Sequence, residues 1–227
     1  MVALIINERL KSSTEFHDAL HGFRAKRGTE TTTIEANLLQ QIYGMCQKTL
    51  CEIFLDLHKA YDALDREQTL NTMAYYGVRE RMIRLLWQYW KGQKMAARES
   101  GYYSDSFGAS CGIAQGDPLS LMIFNIAIDS IVRHWAEKVG QEGARSEGFI
   151  QEVLTKATLF YEDNDLITSL NSEWIQWAFN VLTSLFERVG LLTNLGKKKS
   201  TILHSGYISG RQSYSAYKRR MTGEVAM

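Results

Sequence analysis

The order of apolar and polar positions divides the chain into alternating helical and extended stretches. Over 32–48, Ile34, Leu38, Leu39, Ile42 and Tyr43 recur at helical spacing, which predicts a helix. The run 51–57 is apolar and short enough for a buried strand, yet it contains Asp56. Two helices are expected next, one over 66–76 stopped by Gly77, the other over 80–90 with Met82, Ile83, Leu86, Trp87 and Trp90 inward. Those aromatics are read as core, not as a base-stacking platform. Strands over 93–98 and 102–110 flank a turn at Gly101. The only proline, Pro118, opens a helix running through His134 and carrying Leu119, Ile123, Ile126, Ile128, Ile131 and Trp135.

A polar loop over 140–148 follows. The segment 157–161 reads as a strand, 162–165 as an acidic turn and 166–168 as the return strand. Over 173–189, Ile175, Ala178, Phe179, Leu182, Leu185, Phe186 and Val189 form one stripe of a helix capped by Ser172 and ended by Gly190. A short strand over 201–203 comes before a weakly patterned polar stretch from 206 onward. At the other end, 2–10 is a short apolar segment with no element assigned.

The chemistry concentrates where this pattern is broken. A carboxylate inside an apolar strand is costly unless a cation, a metal or hydrogen bonds compensate it. Asp56 is one such residue, and it is not needed as a helix cap because Asp65 stands directly before the helix at Arg66. The acidic turn supplies Asp163. If the two strands are neighbours, Asp56 and Asp163 converge at one sheet end, an oxygen-rich arrangement suited to Mg²⁺. The plainer alternative is an ordinary acidic hairpin turn. Ahead of the first helix, Arg24, Lys26 and Arg27 form either a solvated basic loop or a set of phosphate contacts. Gly112 and Gly116 permit close approach of backbone to a ligand.

Three stretches in order carry a resemblance: Phe54-Leu55-Asp56-Leu57-His58-Lys59-Ala60-Tyr61-Asp62, Gly112-Ile113-Ala114-Gln115-Gly116-Asp117-Pro118-Leu119-Ser120 with Phe124-Asn125, and Phe160-Tyr161-Glu162-Asp163-Asn164. They resemble motifs A, B and C of reverse transcriptases, most closely the group II intron and non-long-terminal-repeat type. The flanks His21-Gly22-Phe23-Arg24-Ala25-Lys26-Arg27-Gly28-Thr29 and Gly190-Leu191-Leu192-Thr193-Asn194 with Lys197 also fit. The resemblance implies an α+β right-hand polymerase palm: an antiparallel sheet with helices on one face, the other face open to a primer-template duplex, and partial fingers. On this reading 1–49 is partial fingers, 50–205 the palm with a fingers-like helical insert at about 66–138, and 206–227 a polar C-terminal tail.

The same resemblance implies roles. Asp56 and Asp163 match the metal-binding aspartates, with the Leu57 carbonyl as a further ligand and Mg²⁺ (or Mn²⁺) as the ion. Tyr61 matches the residue beneath the sugar of the incoming nucleotide, Gln115 and Gly116 the pair lining the nascent base pair, and Lys197 a proton donor to pyrophosphate. The partners implied are an RNA template, a DNA primer and deoxynucleoside triphosphates. The chain also departs from the pattern. Asn164 stands where relatives have a second Asp, Glu162 where they have a small or apolar residue, and Asp117 where close relatives often have Gly. A thumb is not evident after Ser205, and the usual N-terminal finger motifs are not found. The resemblance thus implies RNA-directed DNA polymerisation as the family function, in what looks like a decayed or fragmentary copy. The alternative is a non-catalytic palm-like nucleic-acid-binding module. A third reading, an unrelated metal-dependent hydrolase, leaves Tyr61, the motif B loop and Lys197 unexplained.

Composition adjusts this only modestly. With 227 residues, 45% of them hydrophobic, the chain is long enough for a sizeable core. A net charge of +1 gives no global pull towards nucleic acid, so such binding must come from local patches. Lys197 to Lys199 is one of these, whereas Lys218 to Arg220 reads as solvated tail. Cys46, Cys51 and Cys111 are odd in number and lack metal-site spacing, which suits a reducing, intracellular compartment. No apolar run reaches the roughly 20 residues of a membrane span.

Overall fold

β1 (Leu50–His58) is the strand around which an antiparallel sheet forms. The computed structural model describes residues 2–12, 14–45, 50–146, 158–161, 164–169, 171–194, 201–208 and 211–216. These fall into two compact units, 17–58 with 131–227 and 1–16 with 59–130, and the division lies within a long helix, α6 (Pro118–Ser146).

The first of these units holds the sheet. Its strands are β1, β6 (Thr158–Tyr161), β7 (Asn164–Ser169), β8 (Leu192–Thr193), β9 (Thr201–Ile208) and β10 (Arg211–Ala216). The spatial order is β10-β9-β1-β7-β6, and β8 pairs with β1 at Leu57 and His58, past the last residue that β9 reaches. Alternation along β1 separates its two faces. Cys51, Ile53, Leu55 and Leu57 are all buried on one face. On the other, Glu52 is buried while Phe54, Asp56 and His58 are at least partly exposed.

α7 (Ser172–Arg188) packs on β1, β7 and β8 through Ile175, Ala178, Phe179, Leu182, Leu185 and Phe186. Trp135 of α6 joins it, donating Nε1–H to the Ala178 carbonyl at 2.8 Å and meeting Phe160 edge-on at 6.1 Å. The opposite face is not wholly open. Gln40 of α2 (Thr29–Met45) donates Nε2–H to both carboxylate oxygens of Glu52, at 3.0 and 3.2 Å. Along β1 that face is exposed only from Phe54 onward.

The second unit contains α1 (Val2–Lys11), α3 (Ala60–Ala63), α4 (Arg66–Tyr75) and α5 (Glu80–Lys91). It also holds two small ribbons, β2 (Lys94–Met95) with β5 (Phe107–Gly108) and β3 (Arg98–Glu99) with β4 (Tyr102–Tyr103). Asp65 caps α4 as expected, its Oδ1 accepting the Gln68 N–H at 2.9 Å. Ser100 and Gly101 both have positive φ, 49° and 88°, the geometry a tight hairpin turn requires.

Several expectations are corrected. The segment 2–10 lies within a helix. The apolar stripe of α2 buries none of its residues, and Ile34, Leu38 and Ile42 are exposed. Trp87 faces solvent, because Leu86 and Trp90 are four apart on one side of α5 and Trp87 is rotated about 100° from Leu86. α6 continues through 140–146, since Gln, Glu, Ala and Arg are good helix formers and polarity alone does not end a helix. Asn171, not Ser172, caps α7: its Oδ1 accepts the N–H of Glu173 and Trp174, at 2.9 and 3.0 Å. Asn164 and Asp165 belong to β7 and not to a turn. Finally, 206–208 and 211–216 are strand and not tail, paired through β9 to β1. Their order comes from a distant partner strand, which local composition does not reveal.

Candidate active site

Asp56 sits near the end of β1 on the sheet face that opens. Its direct partner across the β1–β7 ladder is Asn164, and Asn164 also pairs with Tyr161 across β6–β7. Motifs A and C are therefore adjacent strands, as the sequence reading required. Glu162 and Asp163, between those two paired residues in sequence, lie outside the described residues, as does Lys197.

The carboxylate of Asp56 has a firm partner on its other side. Asn194, immediately after β8, donates Nδ2–H to Asp56 Oδ2 at 2.8 Å, and its backbone N–H donates to the Asp56 carbonyl at 2.7 Å. Successive carbonyls of a strand point to alternate edges. With the Asp56 carbonyl aimed at β8, that of Leu57 is aimed at the β7 edge, one residue past the last register pair there. A carboxylate and a backbone carbonyl are hard oxygen donors of the kind Mg²⁺ and Mn²⁺ take. Among the described residues no group of three or more His, Cys, Asp or Glu side chains is placed to hold an ion. The oxygens of Asp56 and Leu57 fit the implied metal, and further ligands must come from elsewhere.

Motif B is built in the other unit. The Ile113 N–H donates to the Tyr61 carbonyl at 2.8 Å, and the Gly112 N–H to the Leu64 carbonyl at 2.9 Å. Gly112 has φ +75°, and a Cβ on it would lie 2.6 Å from the Asp62 carbonyl oxygen. This glycine is thus demanded twice, by conformation and by the close approach of the motif A backbone. Arg66 fastens the same loop, donating Nε–H to the Gly112 carbonyl at 2.6 Å and an Nη1–H to the Ala109 carbonyl at 2.8 Å. Its guanidinium lies 5.5 Å from the Trp90 ring centroid.

Tyr61 is half-buried, its ring stacked on Phe124 at 4.7 Å with 15° between planes. Gln115 and Gly116 are exposed farther along the loop, with Gly116 at φ +85°. Tyr61 meets motif B through the Ile113 N–H at its carbonyl, and it is Phe124 that supports the ring. Asp117, the departure in this motif, is accounted for locally. Its Oδ1 caps α6 by accepting the Leu119 N–H at 3.0 Å, and its Oδ2 accepts the Tyr89 hydroxyl at 2.7 Å. That bond, with burial and the Asp117 charge, pushes the Tyr89 phenol up from its ordinary pKa.

The basic segment is engaged internally. Arg24 donates to the carbonyls of His17 and Leu20, at 2.8 and 2.9 Å. Arg27 pairs with Asp18 Oδ1 at 2.9 Å and also meets the Asp18 carbonyl. Lys26 is exposed. Of these three basic residues, read as either a solvated loop or phosphate contacts, the two arginines organise their own loop. That loop is tied to the sheet where His21 donates its N–H to the Phe160 carbonyl at 2.8 Å. His21 is buried, and burial lowers its pKa despite Glu35 at 3.4 Å.

The residues to which sequence reasoning gave no role are Asn194, Arg66 and Phe124. Asn194 and Phe124 lay inside the quoted motifs, a signal that was present but not specific. Arg66 carried none, since a buried arginine looks like any first-turn helix residue.

A family model described as reverse transcriptase (RNA-dependent DNA polymerase) matches residues 1–221. The chain is 26% identical over 161 residues to the Pol polyprotein of the type-2 retrotransposable element R2DM of Drosophila melanogaster, covering 70% of this chain and 14% of that one. It is 25% identical over 166 residues to the Pol polyprotein of the type-1 retrotransposable element R2 of Popillia japonica, covering 72% and 23%. The chain thus spans less than a quarter of either relative. Among solved structures, apo telomerase from Candida tropicalis truncated from its C-terminal domain superposes with a TM-score of 0.62 at 15% identity, over 92% of this chain and 40% of that one. Telomerase from Candida albicans in complex with a fragment of telomeric RNA gives 0.59 at 11% identity, over 88% and 34%. These likenesses are of fold: helices with an antiparallel sheet in a mixed α+β arrangement.

Proposed function

We propose a polymerase function for this chain from one premise: it belongs to the reverse transcriptase family, of the non-long-terminal-repeat retroelement type. The proposed reaction is RNA-directed addition of a deoxynucleotide to a primer 3′-hydroxyl, with an RNA template, a DNA primer and deoxynucleoside triphosphates as partners. The observation that supports it is the placement of Asp56, partly exposed at the end of β1 and paired in register with the first residue of β7.

When bound, divalent ions, Mg²⁺ or Mn²⁺, neutralise the phosphates and polarise the reacting oxygens. The side chains position and exclude. Asp56, Asp163 and the Leu57 carbonyl would hold the ions. Tyr61, backed by Phe124, fills the space a 2′-hydroxyl needs. Gln115 and Gly116 line the nascent base pair, and Lys197 gives a proton to the leaving pyrophosphate. Asn164 brings no charge where relatives have a carboxylate, and Glu162 adds one where relatives have a small or apolar residue. Both weaken catalysis, so this copy polymerises poorly. Inside a cell, Cys51 and Cys111 remain thiols.

Primer extension on RNA and DNA templates, in Mg²⁺ and in Mn²⁺, tests this with the parent, Asp56→Asn and the double substitution Glu162→Ala/Asn164→Asp. The expected result is weak or undetectable extension by the parent, gain in the double substitution, and none with Asp56→Asn. Extension indifferent to Asp56→Asn overturns the reading. Asn164 itself favours a second reading, a palm that binds a primer-template duplex without chemistry. Tight duplex binding with no incorporation even in the double substitution would establish it.

A further inference from the structure

Asn194 touches Asp56 twice, and the two contacts do different things. The backbone bond, Asn194 N–H to the Asp56 carbonyl at 2.7 Å, continues the β1–β8 ladder by one residue. Any residue with an N–H makes it. The side-chain bond, Nδ2–H to Asp56 Oδ2 at 2.8 Å, is not needed to pair the strands. Its effect falls on the orientation of the carboxylate.

A partly exposed aspartate near a strand end has several rotamers open to it. A donor anchored to the same backbone selects one of them. With Oδ2 fixed, Oδ1 has a set direction relative to β1. The backbone bond meanwhile directs the Asp56 carbonyl to the β8 edge, so the Leu57 carbonyl points to the β7 edge. The Leu57 carbonyl is thus directed by the strand itself, and what the Asn194 side chain specifically orders is the Asp56 carboxylate. An amide is suited to this position, because it donates a hydrogen bond and adds no charge, where an acid 2.8 Å from Asp56 would repel it.

We propose that Asn194 is a positioning residue for the divalent-cation site, acting through the carboxylate of Asp56. The inference rests on Asp56 being a metal ligand, as set out under the proposed function, and goes beyond it by naming what holds that ligand in place. Groups that orient metal ligands typically change metal affinity by about 10–100-fold when removed.

The test is a double-mutant cycle read by Mn²⁺ binding, with Mn²⁺ alone titrated into the full chain and free ion followed by electron paramagnetic resonance. The four proteins are the parent, Asp56→Asn, Asn194→Ala and the double variant. Asn194→Ala keeps the backbone bond, so its thermal midpoint is expected to stay near the parent's. Asn194→Ser, which also keeps that bond, is measured beside it in case alanine lowers the midpoint. The expected result is that Asn194→Ala weakens Mn²⁺ binding by roughly 10–100-fold where Asp56 is intact and changes nothing where Asp56→Asn is already present. Unweakened binding in Asn194→Ala and Asn194→Ser, with Asp56→Asn still damaging, overturns the inference and leaves the metal reading of Asp56 intact. Equal weakening in both backgrounds also overturns it, since the effect is then not transmitted through Asp56. If Asp56→Asn itself does not weaken binding, the metal reading falls and the positioning role with it.

Discussion

Leu55 and Asp165 are direct partners across the β1–β7 ladder, and both are buried, 2% and 4% exposed. Asp165 is thus on the face of β1 that carries Ile53 and Leu57, and Asp56 is on the other. Asp165 is therefore not placed to stand in for the carboxylate missing at Asn164. To do so β7 would have to slip by one residue, which would turn Leu166 and Thr168, both buried, to the opposite faces.

Substitutions at the two positions therefore separate cleanly. Asn164→Asp is expected to strengthen Mn²⁺ binding in an Asp56-dependent way, while Asp165→Asn leaves Mn²⁺ binding as in the parent. Loss of Asp56-dependent binding on Asp165→Asn would show that the register is wrong.

Two glycines of motif B are expected to respond unequally to alanine. At Gly116 the positive φ is the whole cost, about 1–2 kcal/mol, because nothing lies within 4 Å of the added Cβ. At Gly112 the same strain is joined by a Cβ 2.6 Å from the Asp62 carbonyl, and the total rises to about 2–4 kcal/mol. Chemical denaturation of both variants measures the difference. Equal losses would mean that the motif A and motif B backbones are not in contact.

Arg66→Met keeps most of the side-chain volume and removes the donors to Gly112 and Ala109. Leaving those carbonyls without the guanidinium is expected to cost about 2–4 kcal/mol of stability. Arg66→Lys does not restore it, because one ammonium cannot reproduce the forked geometry that reaches both oxygens. Thermal unfolding of the two variants against the parent decides this.

Glu52 is 1% exposed, and burial raises its pKa above the ordinary glutamate value, with the Gln40 bond acting the other way. A carboxyl whose folded pKa is raised favours the folded state while protonated. The penalty is absent below the unfolded carboxyl range, grows as pH rises through it, and is complete above the folded value. Glu52→Gln, which still accepts from Gln40, is thus expected to raise the unfolding midpoint at pH 7. The gain should vanish below about pH 4. A gain independent of pH would assign the effect to packing.

Much of the architecture was written in local pattern. The Leu119 to Trp135 stripe, the stripe of α7, the buried odd positions of β1, the Asp65 cap and the Ser100-Gly101 turn follow from periodicity and from conformations few residues adopt. The order of the motifs was likewise enough to anticipate that Asp56 and the hairpin after Phe160 share a sheet. What the tertiary structure alone decided is which distant groups meet. Asn194 reaches Asp56 across 138 residues of sequence and Arg66 reaches Gly112 across 46. The end of β9 and all of β10 take their order from the ladder built on β1, although composition from 206 onward reads as tail. The reason is physical. Helix faces and turns are set by neighbours a few residues away, whereas ladder register and side-chain hydrogen bonds are set by through-space approach. A shift of one residue in register reverses which carboxylate faces the site.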